Sequence, residues 1–154
     1  MSILMIQGPH CLPADGDSKK YEPSIALLAA SAHAAGKALV VHTCGSVREL
    51  VECLRRAKRP DTEMVLLDSG DLNSDEFAIE GSQLCQALDE LNAPYIEVHD
   101  DSAQVLDLQV HPRNAPIVTL VVNDDRTQGY SLALAIALRR LSRRMDEPRT
   151  PFIA

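Results

Sequence analysis

Three apolar runs in this chain end abruptly on polar clusters, and that pattern constrains its fold more than any other feature. Ile3-Leu4-Met5-Ile6 gives way to Gln7-Gly8-Pro9-His10. Met64-Val65-Leu66-Leu67 gives way to Asp68-Ser69-Gly70-Asp71, and Tyr95-Ile96-Glu97-Val98 to His99-Asp100-Asp101. Short continuous apolar runs, separated by segments of helical periodicity, read as parallel strands buried on both faces. In an open sheet of such strands, ligands bind beyond the carboxyl ends, near the point where the strand order reverses. The pattern predicts a place for chemistry before it predicts a reaction.

The rest of the chain fits that frame. Strand 1 is expected over residues 2–7, followed by a polar loop over 8–22 with Pro9, Pro13 and Gly16. Pro23-Ser24 opens a helix to about Ala35, and Gly36 suits its carboxyl end. Ala38–His42 reads as strand 2. Ser46 is placed to cap a helix over 47–58, with Glu49 as its capping-box partner, and Pro60 ends that segment. Glu63–Leu67 reads as strand 3, and Ser74 is expected to cap a helix to about Leu91, with Asp75 and Glu76 at its positive end. Tyr95–Val98 is strand 4, residues 100–115 a loop or weak helix, and Ile117–Val122 strand 5. Thr127 is expected to cap a last helix from Gln128 to about Arg144. The reading is one domain over 1–145 and a mobile tail over 146–154. Five β-α units with right-handed connections predict helices on both faces of a five-stranded, flavodoxin-like parallel sheet in order 2-1-3-4-5. The loops after strands 1, 3 and 4, which carry the polar clusters, would then border one cleft.

Composition excludes some functions. Aromatic residues are 3% of the chain, Trp is absent and the formal net charge is −7. Base stacking is then hard to supply and phosphate backbones are repelled, so nucleic acid is not the expected partner. The basic run Arg139, Arg140, Arg143 and Arg144 reads as a solvated helix end, where cations meet the negative helix terminus. Gly8-Pro9 is not a phosphate loop, because no Gly-Lys-Ser/Thr follows. No apolar run approaches the ~20 residues that span a bilayer. Cys11, Cys44, Cys53 and Cys85 include no Cys-x-x-Cys pair, which suggests free thiols in a reducing compartment and a cytoplasmic protein. Cys53 and Cys85 fall in amphipathic helical patterns and read as small buried hydrophobes.

Three motifs in order resemble the type II 3-dehydroquinate dehydratases. That family begins with a strand ending in Asn-Gly-Pro-Asn, where this chain has Gln7-Gly8-Pro9-His10. Its fourth strand ends Glu-Val-His, as in Glu97-Val98-His99, and its last helix begins Gly-Tyr before an apolar run, as in Gly129-Tyr130-Ser131-Leu132-Ala133-Leu134. The resemblance covers residues 2 to about 142. It implies a flavodoxin-like fold, trimers assembling into dodecamers, and dehydration of 3-dehydroquinate through an enolate without cofactor or metal. A loop tyrosine would act as base and a histidine after strand 4 as general acid. Tyrosine ordinarily titrates near ~10, and a nearby guanidinium makes tyrosinate available. Imidazole suits the proton donor.

Carried over residue by residue, the resemblance makes His99 the acid and Tyr21 the base. Tyr21 stands about one residue closer to Gly8-Pro9 than the family pattern has it. Substrate contacts fall to His10, Asp68 and Gly70, to Ser74, and to Asp101, Ser102 and Arg113. The match departs from the family in one direction. The family's arginine before the base is missing, with Asp15-Gly16-Asp17 in its region; Lys19 or Lys20 would supply charge there but no rigid fork. Its asparagine after strand 3 is Asp68, its substrate-binding histidine is Ser74, and its Ile-Ser pair after the acid is Asp100-Asp101. The family's substrate-binding arginine aligns near Val110, with Arg113 close by. The substrate is an anion, and like charges ~4 Å apart repel by about 4 kcal/mol at an effective dielectric near 20. The expectation is a retained fold with activity weakened or lost. Two other readings stand beside it: a metal site at His10, Asp68 and His99, and a non-catalytic ligand-binding or oligomeric assembly protein.

Overall fold

The computed structural model describes residues 1–9, 24–57, 60–71, 74–106 and 112–146. Five strands, β1 (Ser2–Gln7), β2 (Ala38–Thr43), β3 (Thr62–Asp68), β4 (Tyr95–His99) and β5 (Val118–Val121), form one parallel sheet in the order β2-β1-β3-β4-β5. The expected order is therefore observed. Burial follows position in the sheet. β3 and β4 are enclosed through their carboxyl halves, whereas the outer strands β2 and β5 alternate half-buried and exposed residues.

Side chains alternate across a strand, so parity divides the core in two. Leu4, Ile6, Val65, Leu67 and Tyr95 point to one face, where α2 (Val47–Arg56) and α3 (Ser74–Asp89) bury Leu50, Leu54, Leu84 and Leu88 against them. Ile3, Met5, Met64, Leu66, Ile96 and Val98 point to the other, under α1 (Ile25–Ala34) and α4 (Arg126–Asp146).

The helix ends show what the sequence specified and what it did not. After α1, Lys37 N–H donates to the Ala32 carbonyl at 3.0 Å and Gly36 N–H to the His33 carbonyl at 2.9 Å. This double closure needs the left-handed backbone that Gly36 adopts, at φ +75°. Ser46 caps α2, its side chain accepting from Glu49 N–H at 3.2 Å. Glu49 reaches back one residue further than a capping box does, to Gly45 N–H at 2.8 Å. Two expected caps are corrected. Helix α3 begins at Ser74 itself. Helix α4 begins before Thr127, because the Asp125 carboxylate accepts from Gln128 N–H at 2.9 Å and caps it. The expected tail lies outside the described residues from 147 onward. No helix among the described residues is long and apolar enough to cross a membrane.

Candidate functional site

The loops that follow β1, β3 and β4 are tied together at the carboxyl edge of the sheet. Gly8 N–H donates to the Asp68 carbonyl at 2.6 Å and Asp71 N–H to the Pro9 carbonyl at 2.6 Å, so the chain after β1 crosses the chain after β3 in contact. A Cβ on Gly8 would stand 2.2 Å from the Ser69 carbonyl oxygen, and one on Gly70 would stand 2.1 Å from that of Pro9. Gly70 also adopts φ +70°. Two glycines are thus needed for the crossing itself. The loop after β4 joins through Gln104, at the end of a short 3₁₀ turn (Ser102–Gln104). Its side-chain amide donates to Asp71 Oδ1 at 2.6 Å, its side-chain oxygen accepts from Asp100 N–H at 3.4 Å, and its carbonyl accepts from Ser69 Oγ at 3.4 Å.

On the α2/α3 face this edge holds a buried polar set. Tyr95, Glu97 and His99 share one parity on β4, so Glu97 and His99 lie side by side on that face. His99 Nε2 is 3.5 Å from Glu97 Oε2 and makes no hydrogen bond among the described residues; Nδ1 is 3.5 Å from Ser69 Oγ. Glu97 also accepts from Thr119 Oγ1 at 3.0 Å. A fully buried imidazole with one uncommitted nitrogen beside a carboxylate is positioned to hold or move a proton.

A second polar set occupies the opposite face. Asp68 shares the parity of Met64 and Leu66, so its carboxylate turns under α4, away from His99. Tyr130 Oη donates to Asp68 Oδ2, and Asp68 Oδ1 accepts from Gly70 N–H at 2.9 Å. Gln7 Nε2 donates to Tyr130 Oη at 3.4 Å, and Thr43 Oγ1 donates to Gln7 Oε1 at 3.0 Å. Burial, and then the Asp68 charge and hydrogen bond, push the Tyr130 phenol well above its ordinary range. Tyr130 therefore keeps its proton and works as a donor to Asp68.

The expected site residues separate on this framework. His99, Gly70, Asp101 and Ser102 lie on the linked loops, with Asp101 and Ser102 exposed and their carbonyls accepting within the 3₁₀ turn. Asp68 reaches the edge, but both its carboxylate oxygens are bonded inside the protein and it does not present a charge beside His99. Arg113 is not brought to the cluster. Its N–H donates at 2.6 Å to Asp89, the last residue of α3, at the amino edge of the sheet. The chain must return to that edge to start β5 parallel to β4, which leaves Arg113 roughly 13 Å of strand from His99. Ser74 opens α3. Tyr21 and His10 lie outside the described residues, as do Asp15, Asp17, Lys19 and Lys20. No group of three or more His, Cys, Asp or Glu suited to a metal ion occurs among the described residues.

Four contributors were not anticipated: Ser69, Glu97 and Gln104 beside His99, and Tyr130 as the partner of Asp68. Two carried a signal. Glu97 is a charge inside an otherwise apolar run, and Tyr130 one of three tyrosines in the chain, at the head of an apolar helix.

The fold defines a class, the flavodoxin-like α/β proteins. Within it the chain is similar to a type II dehydroquinase from Propionibacterium acnes, at 20% identity and TM-score 0.58 over 90% of this chain and 96% of that one. It is also similar to a 3-dehydroquinate dehydratase-like protein from Bifidobacterium longum, at 19% identity and TM-score 0.58 over 92% and 98%. At this identity the likeness concerns the fold. No family model and no curated protein matches the chain.

Proposed function

We propose that this chain is a divergent type II 3-dehydroquinate dehydratase-like protein whose dehydratase activity is weakened or lost. The observation that carries the reading is His99, buried at the end of β4 against Glu97 and Ser69, in a fold similar over nine-tenths of the chain to a type II dehydroquinase. In the family reaction an acid protonates the departing hydroxyl after a base has formed an enolate. His99 Nε2, 3.5 Å from Glu97 Oε2 and without a hydrogen bond among the described residues, would be the donor atom of that acid. Of the three tyrosines, Tyr95 donates to the Asn114 carbonyl at 2.7 Å and Tyr130 donates to Asp68, so a tyrosine base would be Tyr21. Gly70, Ser74, Asp101 and Ser102 remain proposed substrate contacts, together with His10.

The weakening follows from charge. Asp101 is exposed beside the His99 loop, and Asp100 is 3.9 Å from Arg126. Asp68 turns to the opposite face of the sheet, where Tyr130 holds it, and Arg126 offsets part of the Asp100 charge, so the repulsion toward an anion near His99 falls chiefly to the exposed Asp101. The test is to add 3-dehydroquinate to pure protein and follow the conjugated enone absorbance, for the wild type, Tyr21→Phe and His99→Ala. Turnover of ~1 s⁻¹ or more would refute the loss of activity. Equal binding of 3-dehydroquinate to wild type and His99→Ala would remove His99 from the site. The proposal includes homo-oligomers built on trimers, which light scattering on the same protein measures.

A further inference from the structure

Cys44 and Cys53 do not behave as the isolated thiols that their sequence spacing suggests. Their sulfurs stand 3.3 Å apart. Both backbones are anchored by other contacts. Cys44 N–H donates to the Gln7 carbonyl at 2.7 Å, extending the β1–β2 pairing by one residue. The Ser46 cap then fixes where α2 begins, and Cys53 lies on the face of α2 that packs against the core. The strand-to-helix reversal, not a local motif, makes the pair. The two thiols differ in access. Cys44 is buried, and burial and then Cys53 push its thiol up to about 12. Cys53 lines a 280 Å³ pocket on the outer side of the sheet, with Val40, His42 and Arg56.

We propose that Cys44 and Cys53 are a redox-modification site, joined reversibly as a disulfide by hydrogen peroxide that enters through this pocket. The Cys53 sulfur attacks the peroxide; an S–O bond forms, the O–O bond breaks, and the expelled hydroxide takes the Cys53 proton, giving a sulfenic acid and one water. The Cys44 sulfur then attacks that sulfur. The S–S bond forms, the S–O bond breaks, and hydroxide leaves with the Cys44 proton as a second water. Two thiols lose two electrons and two protons, and hydrogen peroxide is reduced to water. The sulfurs must close from 3.3 Å to about 2.05 Å, within reach of small side-chain rotations. A dithiol reverses the reaction. Cys85 is a different case, with its sulfur 4.0 Å from the Asp89 carboxylate.

The experiment uses the full chain. Reduced protein is treated with a small excess of hydrogen peroxide, its remaining thiols are alkylated, and peptides are mapped by mass spectrometry with and without dithiothreitol. The expected result is one linked peptide joining Cys44 to Cys53, lighter by two hydrogens and released by dithiothreitol. It persists in Cys85→Ser and Cys11→Ser and disappears in Cys53→Ser. Cys44→Ser should also abolish it, and Cys53→Ser keeps the test valid if the buried serine prevents folding. A link from Cys53 to Cys11 or Cys85, or Cys53 advancing to sulfinic acid while Cys44 is alkylated, overturns the proposal.

Discussion

Asp68 shows how strand parity decides a residue's role. Its position after an apolar run makes it look like part of an acidic rim. One step of parity instead turns it under α4, where Tyr130 and Gly70 bond its two oxygens. The parity was legible in the sequence; the tyrosine waiting on that face was not, because it arrives from 62 residues away. Tyr130→Phe should leave a buried carboxylate oxygen short of a donor and cost about 1–3 kcal/mol in denaturant unfolding. The pH dependence has a definite sign. Burial and Asp68 raise the Tyr130 phenol in the folded state, while the unfolded chain ionises near ~10. The folded protein then holds a proton that the unfolded one releases, so stability is complete below that value and falls as pH rises above it. The Cys44 thiol, raised from 9.0 to about 12, adds a fall of the same sign beginning lower. Thermal midpoints between about pH 8 and pH 11 should therefore drop less steeply in Tyr130→Phe than in the wild type. Equal slopes would show that Tyr130 ionises freely.

At the scale of elements, polar residues next to helices are ambiguous in a sequence, and geometry selects among them. Ser46 and Gly36 were legible because each stands alone at its helix end. Near α4, Asp124, Asp125 and Thr127 are all plausible caps, and the Asp125 carboxylate makes the bond. Asp124 takes φ +58° in the turn before it. Asp125→Ala and Ser46→Ala should each cost about 1 kcal/mol by chemical denaturation, and Thr127→Ala should cost clearly less than Asp125→Ala. The reverse ranking would return the cap to Thr127. The loop crossing is less forgiving. A Cβ at Gly8 meets the Ser69 backbone at 2.2 Å, which no rotamer relieves. Gly8→Ala should therefore shift the Asp68–Gly70 turn and cost about 1–3 kcal/mol, the range of an overpacked core. A thermal midpoint unchanged from the wild type would contradict the close crossing.

For the molecule as a whole, alternating apolar runs were enough to give the sheet order, because burial on both faces leaves few topologies open to five β-α units. The site was legible only as an edge, since strand ends reveal neighbours but not which side chains turn toward one another. Arg113 illustrates the limit: near His99 in sequence, it belongs to the opposite edge. Charge is uneven at both edges. Asp71, Asp100, Asp101, Asp124 and Asp125 follow β3, β4 and β5 at the carboxyl edge, where Arg126 faces Asp100 at 3.9 Å. Arg139, Arg140, Arg143 and Arg144 line a groove at the amino edge with Pro94 and Ile117. An anion approaching the His99 loops therefore meets repulsion that extends over a Debye length, ~10 Å at 0.1 M salt. Screening it should strengthen binding by roughly 1 kcal/mol, or about fivefold. Calorimetric titration with 3-dehydroquinate should show affinity rising from low to high salt. Affinity that falls with salt, and loses that dependence in Arg140→Ala with Arg144→Ala, would place the anion in the arginine groove instead. The sign of the salt dependence thus distinguishes the two ends of the sheet as places for the added anion.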